Sequence, residues 1–181
     1  MYAAKKIGKK ALAAASFYDG GYHLTESFVK GYLKNGGSIE KFYVSPMDYK
    51  SESFETLLAG IEEAKPDVIF AAFSFKEGNK VFDILAKSKY NNLIPIIAIP
   101  LMTDETTNTE NHHIEKVFSV ASWSFDDPTP EMQNFINEYL QAYEELPNII
   151  GLLGFEVGLT MLEIINSKGK IEVPLSDALN K

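Results

Sequence analysis

Asp19-Gly20-Gly21-Tyr22 closes an apolar run and opens a helical pattern. Glycine-rich turns cradle phosphate at such a place. A dinucleotide fingerprint needs G-x-G-x-x-G and a P-loop needs a terminal Gly-Lys-Ser/Thr; neither occurs here. The glycines are expected to supply backbone angles closed to other residues, which leaves Tyr22 either as packing or as the wall of a pocket. His112-His113 with Glu110 and Glu115 gathers metal-ligand types. Adjacent histidines on a polar loop point in different directions, however, and lack the i, i+4 spacing of helix-borne ligands. His23 stands alone beside Tyr22, and Ser16, Ser74, Ser119 and Ser122 have no base close in sequence and no nucleophile elbow. These residues therefore argue against an enzyme and call for no metal and no cofactor.

A binding wall is one use of such residues, and ordinary packing or loop tips are the other. Phe73-Ser74-Phe75-Lys76-Glu77 follows one predicted strand, and Pro100-Leu101-Met102-Thr103-Asp104 follows the next. Aromatic, hydroxyl and apolar groups at successive strand ends are the makeup of a small-molecule cleft, although loop tips in general carry such residues too.

The elements that must position these groups alternate in type. Apolar runs Ala11–Phe17, Ser38–Val44, Asp67–Phe73, Pro95–Ile99 and Val117–Ser122 read as strands. Between them, Thr25–Asn35, Ser53–Ala64 and Lys76–Ser88 keep the three-four spacing of helices, with Gly36-Gly37 and Pro66 as stops. The segment from Thr103 to Asn111 reads as loop or short surface helix. This alternation predicts an α/β fold with a mostly parallel five-stranded sheet covered by helices on both faces. In such sheets ligands sit beyond the carboxyl ends of the strands, where the opening turn lies.

The alternation breaks after the fifth strand. Thr129-Pro130 starts a helix well, with a hydroxyl cap followed by proline. Two helices then run in succession, Pro130–Leu146 and Ile149–Ser167, the second apolar almost all round. Such a helix needs cover on more than one side. Its Gly154-x-x-x-Gly158 fits close helix packing in a soluble protein better than a membrane dimer, since Glu156 and Glu163 interrupt it. We therefore expect one α/β lobe over residues 1–125 and a separate segment over 126–181 that lacks cover within this chain.

The 181 residues, 45% apolar and 23% charged, suit a soluble globular chain. A net charge of -8 lacks the basic footprint that nucleic acid requires. The absence of cysteine excludes disulfides and thiolate metal sites.

Taken in order, these segments resemble the type I periplasmic binding proteins, in particular the branched-chain amino acid (Leu/Ile/Val) binding family. GKKALAAASFYDGGYHLTESFVKGYLKNGGSIEKFYVSP is similar to the start of that family's second lobe, and AKPDVIFAAFSFKEGNKVFDILAK to its Pro-Asp strand and ligand-contacting loop. IPIIAIPLMTDE resembles its fourth strand, IEKVFSVASWSFDDPTPEMQNFINEYLQAY its return to the first lobe, and LLGFEVGLTMLEII the helix that follows. The likeness runs from about Tyr2 to Ile165. It implies a second lobe followed, over 126–181, by a crossover with helices of the first lobe, excised from a longer exported protein. It also implies the extracytoplasmic solute-binding component of an ABC importer, periplasmic, with or without a lipid anchor, that closes by hinge motion on an amino-acid-like ligand in an interlobe cleft and delivers it to a permease. A ligand-sensing domain of a receptor or regulator with the same fold is the alternative. By position the resemblance assigns ligand contact to Tyr22, Ser74, Phe75, Met102, Thr103, Asp104 and Phe155. Three departures bear on the ligand: His23 stands where the family has glycine, Phe155 lacks the family's hydroxyl, and Asp104 or Glu105 only roughly matches its acidic residue. The exposed apolar helix of the isolated chain is expected to drive self-association or to fold back over the lobe.

Overall fold

In the computed structural model, the described residues are 2–48, 50–104, 114–121 and 123–166, with backbone alone at 51, 52, 75 and 166. They form two compact units, residues Met1–Ser124 and Phe125–Lys181.

The first unit is a five-stranded sheet: β1 (Lys10–Ala15), β2 (Ser38–Val44), β3 (Val68–Ala72), β4 (Ile96–Ala98) and β5 (Val117–Phe118). The strands lie in the order β2-β1-β3-β4-β5, every neighbouring pair parallel. The central strands β1 (KALAAA) and β3 (VIFAA) are buried apart from Lys10, as continuous apolar runs must be when both faces are covered. Helices α1 (Tyr2–Lys6), α2 (Asp19–Lys34), α3 (Glu55–Ala64), α4 (Phe75–Lys87) and α5 (Pro100–Thr103) make up the rest, with a 3-10 turn at Ser51–Phe54 before α3.

Strand alternation assigns the helices to faces. On α3, a Cβ at Gly60 would meet Leu12 and Lys41, whereas the groove beside α2 is lined by Ala13, Ala15, Phe42 and Val44. Successive side chains of a strand point to opposite faces, so α2 and α3 cover opposite sides of β1 and β2. Small alanines on β1 leave room for large rings beside them. Phe28 of α2 stacks on Phe70 of β3 with centroids 4.2 Å apart and on Tyr32 at 5.0 Å; each such pair adds about 0.5–1.5 kcal/mol beyond area burial.

At the amino-terminal edge Asp67 ties two strands together. Its carboxylate accepts the Lys9 and Lys10 N–H groups at 2.9 and 3.0 Å, and those bonds hold its pKa below the usual carboxylate value. Tyr32 donates its hydroxyl to the Gly8 carbonyl at 2.8 Å. Gly36, with φ of +78°, ends α2 in the left-handed conformation that glycine adopts most readily.

The element boundaries correct the expectations in three places. α2 begins at Asp19 rather than Thr25, so Gly20, Gly21 and Tyr22 lie in its first turn and not in a turn before it. Strand β5 spans only Val117–Phe118, and α1 precedes the first strand as a helix the periodicity did not reveal. Neither of those two glycines has positive φ, and Gly21 is required for a different reason: a Cβ there would sit 2.4 Å from the Ser16 carbonyl oxygen. The helix approaches the strand end too closely for any side chain.

The second unit contains α6 (Pro130–Tyr143) and α7 (Ile149–Asn166). Gln133 closes the entry to α6, its amide donating to the Phe125 and Asp127 carbonyls. Along α7 the residues Ile150, Leu153, Val157, Leu159, Met161, Leu162 and Ile165 are exposed. No helix among the described residues is long and apolar enough to cross a membrane.

Candidate functional site

Parallel strands deliver their carboxyl ends to one edge of the sheet, and there the chain turns four times. After β1 come Ser16, Phe17 and Tyr18; after β2, Ser45; after β3, Phe73 and Ser74; after β4, Ile99 and then α5 up to Asp104. Helices α2 and α4 start from this edge. Tyr18 and Ser74 stand at their N-caps in extended conformation, and neither side chain caps its helix. First-turn N–H groups have no partner within their own helix and carry the positive end of the helix dipole.

Three aromatic rings stand outward at this edge. Phe17 is 48% exposed, Tyr18 48% and Tyr22 45%. Phe17 meets Tyr22 edge-on, centroids 6.0 Å apart and planes at 73°. Tyr22 also borders an apolar groove of about 420 Å³ between α2 and the β1–β2 edge, shared with Val29, Phe42 and Val44. Tyr22 is thus half packed and half presented.

Beneath the aromatics lies a polar knot. Glu77, in the first turn of α4, is 2% exposed. Its carboxylate accepts the hydroxyls of Ser16 and Ser45, and that of Ser74 at 3.5 Å. Ser16 Oγ in turn accepts the Ser74 N–H at 3.3 Å. Buried carboxylates persist where hydrogen bonds replace water. Next to the knot, Tyr43 donates its hydroxyl to the Ser53 carbonyl at 2.9 Å. Burial, aided by the negative charge of Glu77, pushes its pKa up to about 12.

The anticipated site residues divide by location. Tyr22 and Ser74 are at the rim, Ser74 with its hydroxyl turned toward Glu77. Phe75 opens α4, and its side chain lies outside the described residues. Met102 is 1% exposed and lies against Gly78 of α4, where an added Cβ would meet Met102 Cγ at 2.9 Å; it braces the wall from behind rather than lining it. Thr103 donates its hydroxyl to the Pro100 carbonyl at 3.3 Å, and Asp104 is largely buried at the end of α5. Phe155 belongs to the second unit. There its ring lies 4.7 Å from that of Phe135, beside an open groove of about 560 Å³ lined by Glu138, Tyr139, Tyr143 and Gly151. Glu110, His112 and His113 fall outside the described residues; among those described, no cluster of three metal-ligating side chains occurs.

Sequence reasoning passed over Phe17, Tyr18 and the Glu77 knot. For the two aromatics the signal was present, in the same SFYDGGY stretch that pointed to Tyr22. For Glu77 the Ser74-x-x-Glu77 spacing at a helix start was the local signal, while Ser16 and Ser45, 61 and 32 residues away, gave none.

A doubly wound parallel lobe with aromatics and hydroxyls at the carboxyl edge of its strands is the architecture of a ligand-binding domain. The chain belongs to the periplasmic binding protein family, whose model matches residues 1–174. No curated protein matches it. Among solved structures it is similar to an ABC transporter substrate-binding protein from Sphaerobacter thermophilus, with TM-score 0.84 and 21% identity over 94% of this chain and 47% of that one. It is also similar to an ABC transporter solute-binding protein from R. palustris in complex with benzoate, with TM-score 0.77 and 23% identity over 87% of this chain and 43% of that one. A third is the leucine-binding protein LivK from Thermotoga maritima, with TM-score 0.71 and 17% identity over 94% of this chain and 49% of that one. The chain thus spans less than half the length of these proteins.

Proposed function

We propose that this chain forms part of the extracytoplasmic solute-binding component of an ABC importer, and that its ligand is a small organic carboxylate. The observation that carries the reading is the exposed trio Phe17, Tyr18 and Tyr22 at the carboxyl edge of the sheet. Three large rings left in water at one rim cost apolar hydration that a bound ligand recovers. The N-termini of α2 and α4 reach the same rim without a side-chain cap; each carries one acidic residue in its first turn, Asp19 and Glu77, and their dipoles favour a ligand carboxylate. Amino acids and benzoates share that group, and the similar proteins named above include one in complex with benzoate and one called leucine-binding. Binding, closure by hinge motion and hand-over to a permease need no chemical step, so no catalytic role is assigned. In this reading Ser74, Phe75, Thr103 and Asp104 border the ligand and Met102 supports them.

The test is a thermal-shift and calorimetric screen of the complete gene product against L-leucine, other amino acids, benzoate and 4-hydroxybenzoate. A ligand that binds only the native state raises the melting temperature, by about 2.7 kcal/mol of stabilisation at a hundredfold excess over Kd. A shift with carboxylates that is absent with the corresponding amides supports the proposal. Unchanged melting with every carboxylate overturns it.

A further inference from the structure

Glu77 is buried, titratable and unused by the binding reading. It sits in α4, yet its carboxylate reaches the chain just beyond three adjacent strands: Ser16 after β1, Ser45 after β2 and Ser74 after β3. Among the described residues it forms no ion pair. The three segments are otherwise joined at this level by two backbone bonds, Ser16 N–H to the Ala72 carbonyl and Ser45 N–H to the Ala15 carbonyl, each 3.0 Å, and by the Ser74 N–H to Ser16 Oγ at 3.3 Å. Beyond them the ladder stops, and the chain leaves for α2, the β2–α3 loop and α4.

We infer that Glu77 is a positioning residue: its buried carboxylate clasps the Ser16, Ser45 and Ser74 hydroxyls and so holds together three strand ends, among them the end of β1 from which the aromatic rim rises. Ser16 immediately precedes Phe17, so the clasp grips the residue next to the first rim aromatic. Its carboxylate oxygens divide the work, Oε1 taking Ser45 and Oε2 taking Ser16 and Ser74. The two oxygens of a carboxyl group meet several hydroxyls at once, which an apolar residue cannot do. The consequence for ligand affinity rests on the binding function proposed above; the consequence for the strand ends does not.

Two substitutions separate the roles. Glu77→Met keeps the length and removes the acceptors. Glu77→Gln keeps the shape: its Oε1 accepts from Ser16, and its Nε2 donates to Ser45 once that hydroxyl has rotated. Amide hydrogen exchange on the ligand-free chain gives the first readout. In Glu77→Met the amides of Ser16, Ser45, Ser74 and Gly78 exchange about tenfold faster or more, while that of Ile69 in mid-sheet stays within about threefold, since local opening is independent of global unfolding. Glu77→Gln restores the edge amides. Uniform acceleration, or no change at the edge, overturns the inference. Should Glu77→Met not fold, Ser45→Ala is the milder cut, expected to loosen the Ser45 amide; a Ser45 amide as protected as in the parent overturns the inference equally. The second readout is affinity of the complete gene product for L-leucine and benzoate, expected to weaken about tenfold in Glu77→Met and to recover in Glu77→Gln. A parent protein that binds neither probe, nor any carboxylate of the wider screen, overturns the function proposed above while leaving the exchange result to judge the clasp. A parent that binds, with Glu77→Met binding equally well, removes the clasp from the binding site.

Discussion

Gly21 rests on the carbonyl of Ser16 so closely that a methyl group cannot be inserted between them: the added carbon would lie 2.4 Å from Ser16 O and 3.3 Å from its carbonyl carbon. Ser16 O also receives the Tyr18 N–H at 3.0 Å. This contact sets how steeply the chain leaves β1 and enters α2, and with it where Phe17, Tyr18 and Tyr22 stand.

Gly21→Ala is therefore expected to destabilise the chain by about 1–3 kcal/mol, the usual cost of overpacking. Gly20 is the internal control. An added Cβ there meets only the Tyr18 ring, at 3.8 Å, so Gly20→Ala is expected to be neutral or to stabilise by up to about 1 kcal/mol through helix propensity. Urea unfolding of both variants is the check, and equal effects would refute the packing argument.

The buried phenols make a prediction at alkaline pH. Tyr43 and Tyr32 are both pushed up to about 12, chiefly by burial, with the negative charges of Glu77 and Asp67 respectively adding to it. Because the folded pKa exceeds the unfolded value near 10, the contribution of each phenol to stability is full below about pH 10 and is lost as the pH rises toward 12. Spectrophotometric titration at 295 nm should show Tyr32 and Tyr43 among the late-ionising phenols, and Tyr43→Phe should reduce the late amplitude by one phenol. An unchanged number of late phenols in that variant would contradict the assignment.

Asp67 gives the opposite sign. Two backbone N–H bonds depress its folded pKa, so its contribution is present above the unfolded value of about 3.9 and is lost as the pH falls through the lower folded value. Asp67 is exposed, which keeps that contribution to about 1 kcal/mol or less. Asp67→Asn is expected to be less stable than the parent at pH 7, with the gap narrowing as the pH falls below about 3.9. A gap that does not narrow on acidification would show that shape, not charge, matters at this position.

The second unit presents a continuous apolar surface along α7. Ile150, Val157, Leu162 and Ile165 are each more than half exposed, and uncovered faces of this kind associate. The 181-residue chain is expected to sediment as dimers or larger species in the micromolar range. Val157→Glu with Leu162→Lys should shift it to monomer. Monomeric behaviour of the parent at high concentration would remove the prediction.

Much of this fold was readable from periodicity. Continuous apolar runs at Leu12–Ala15 and Val68–Ala72 announced central parallel strands, and Phe28 and Tyr32 announced the buried face of α2. Boundaries failed where a local rule was overridden. Gly20 and Gly21 look like turn residues, yet they are helical, because the tight space over Ser16 selects glycine at position 21 irrespective of its backbone freedom. Val117–Ser122 looks like a full strand, but only Val117 and Phe118 pair, with Ile96 and Ile97 of a three-residue neighbour. A strand extends no further than its partner allows.

The sequence by itself determined most of the segments that become strands and helices and that the strands run parallel, since these are matters of side-chain period and crossover length. Only the tertiary structure decided which strand ends become neighbours. The order β2-β1-β3 brings Ser45, Ser16 and Ser74 within reach of one carboxylate. That adjacency arises from sheet pairing between segments 32 to 61 residues from Glu77 or within its own helix turn. A pattern read along the chain carries no information about distances of that kind.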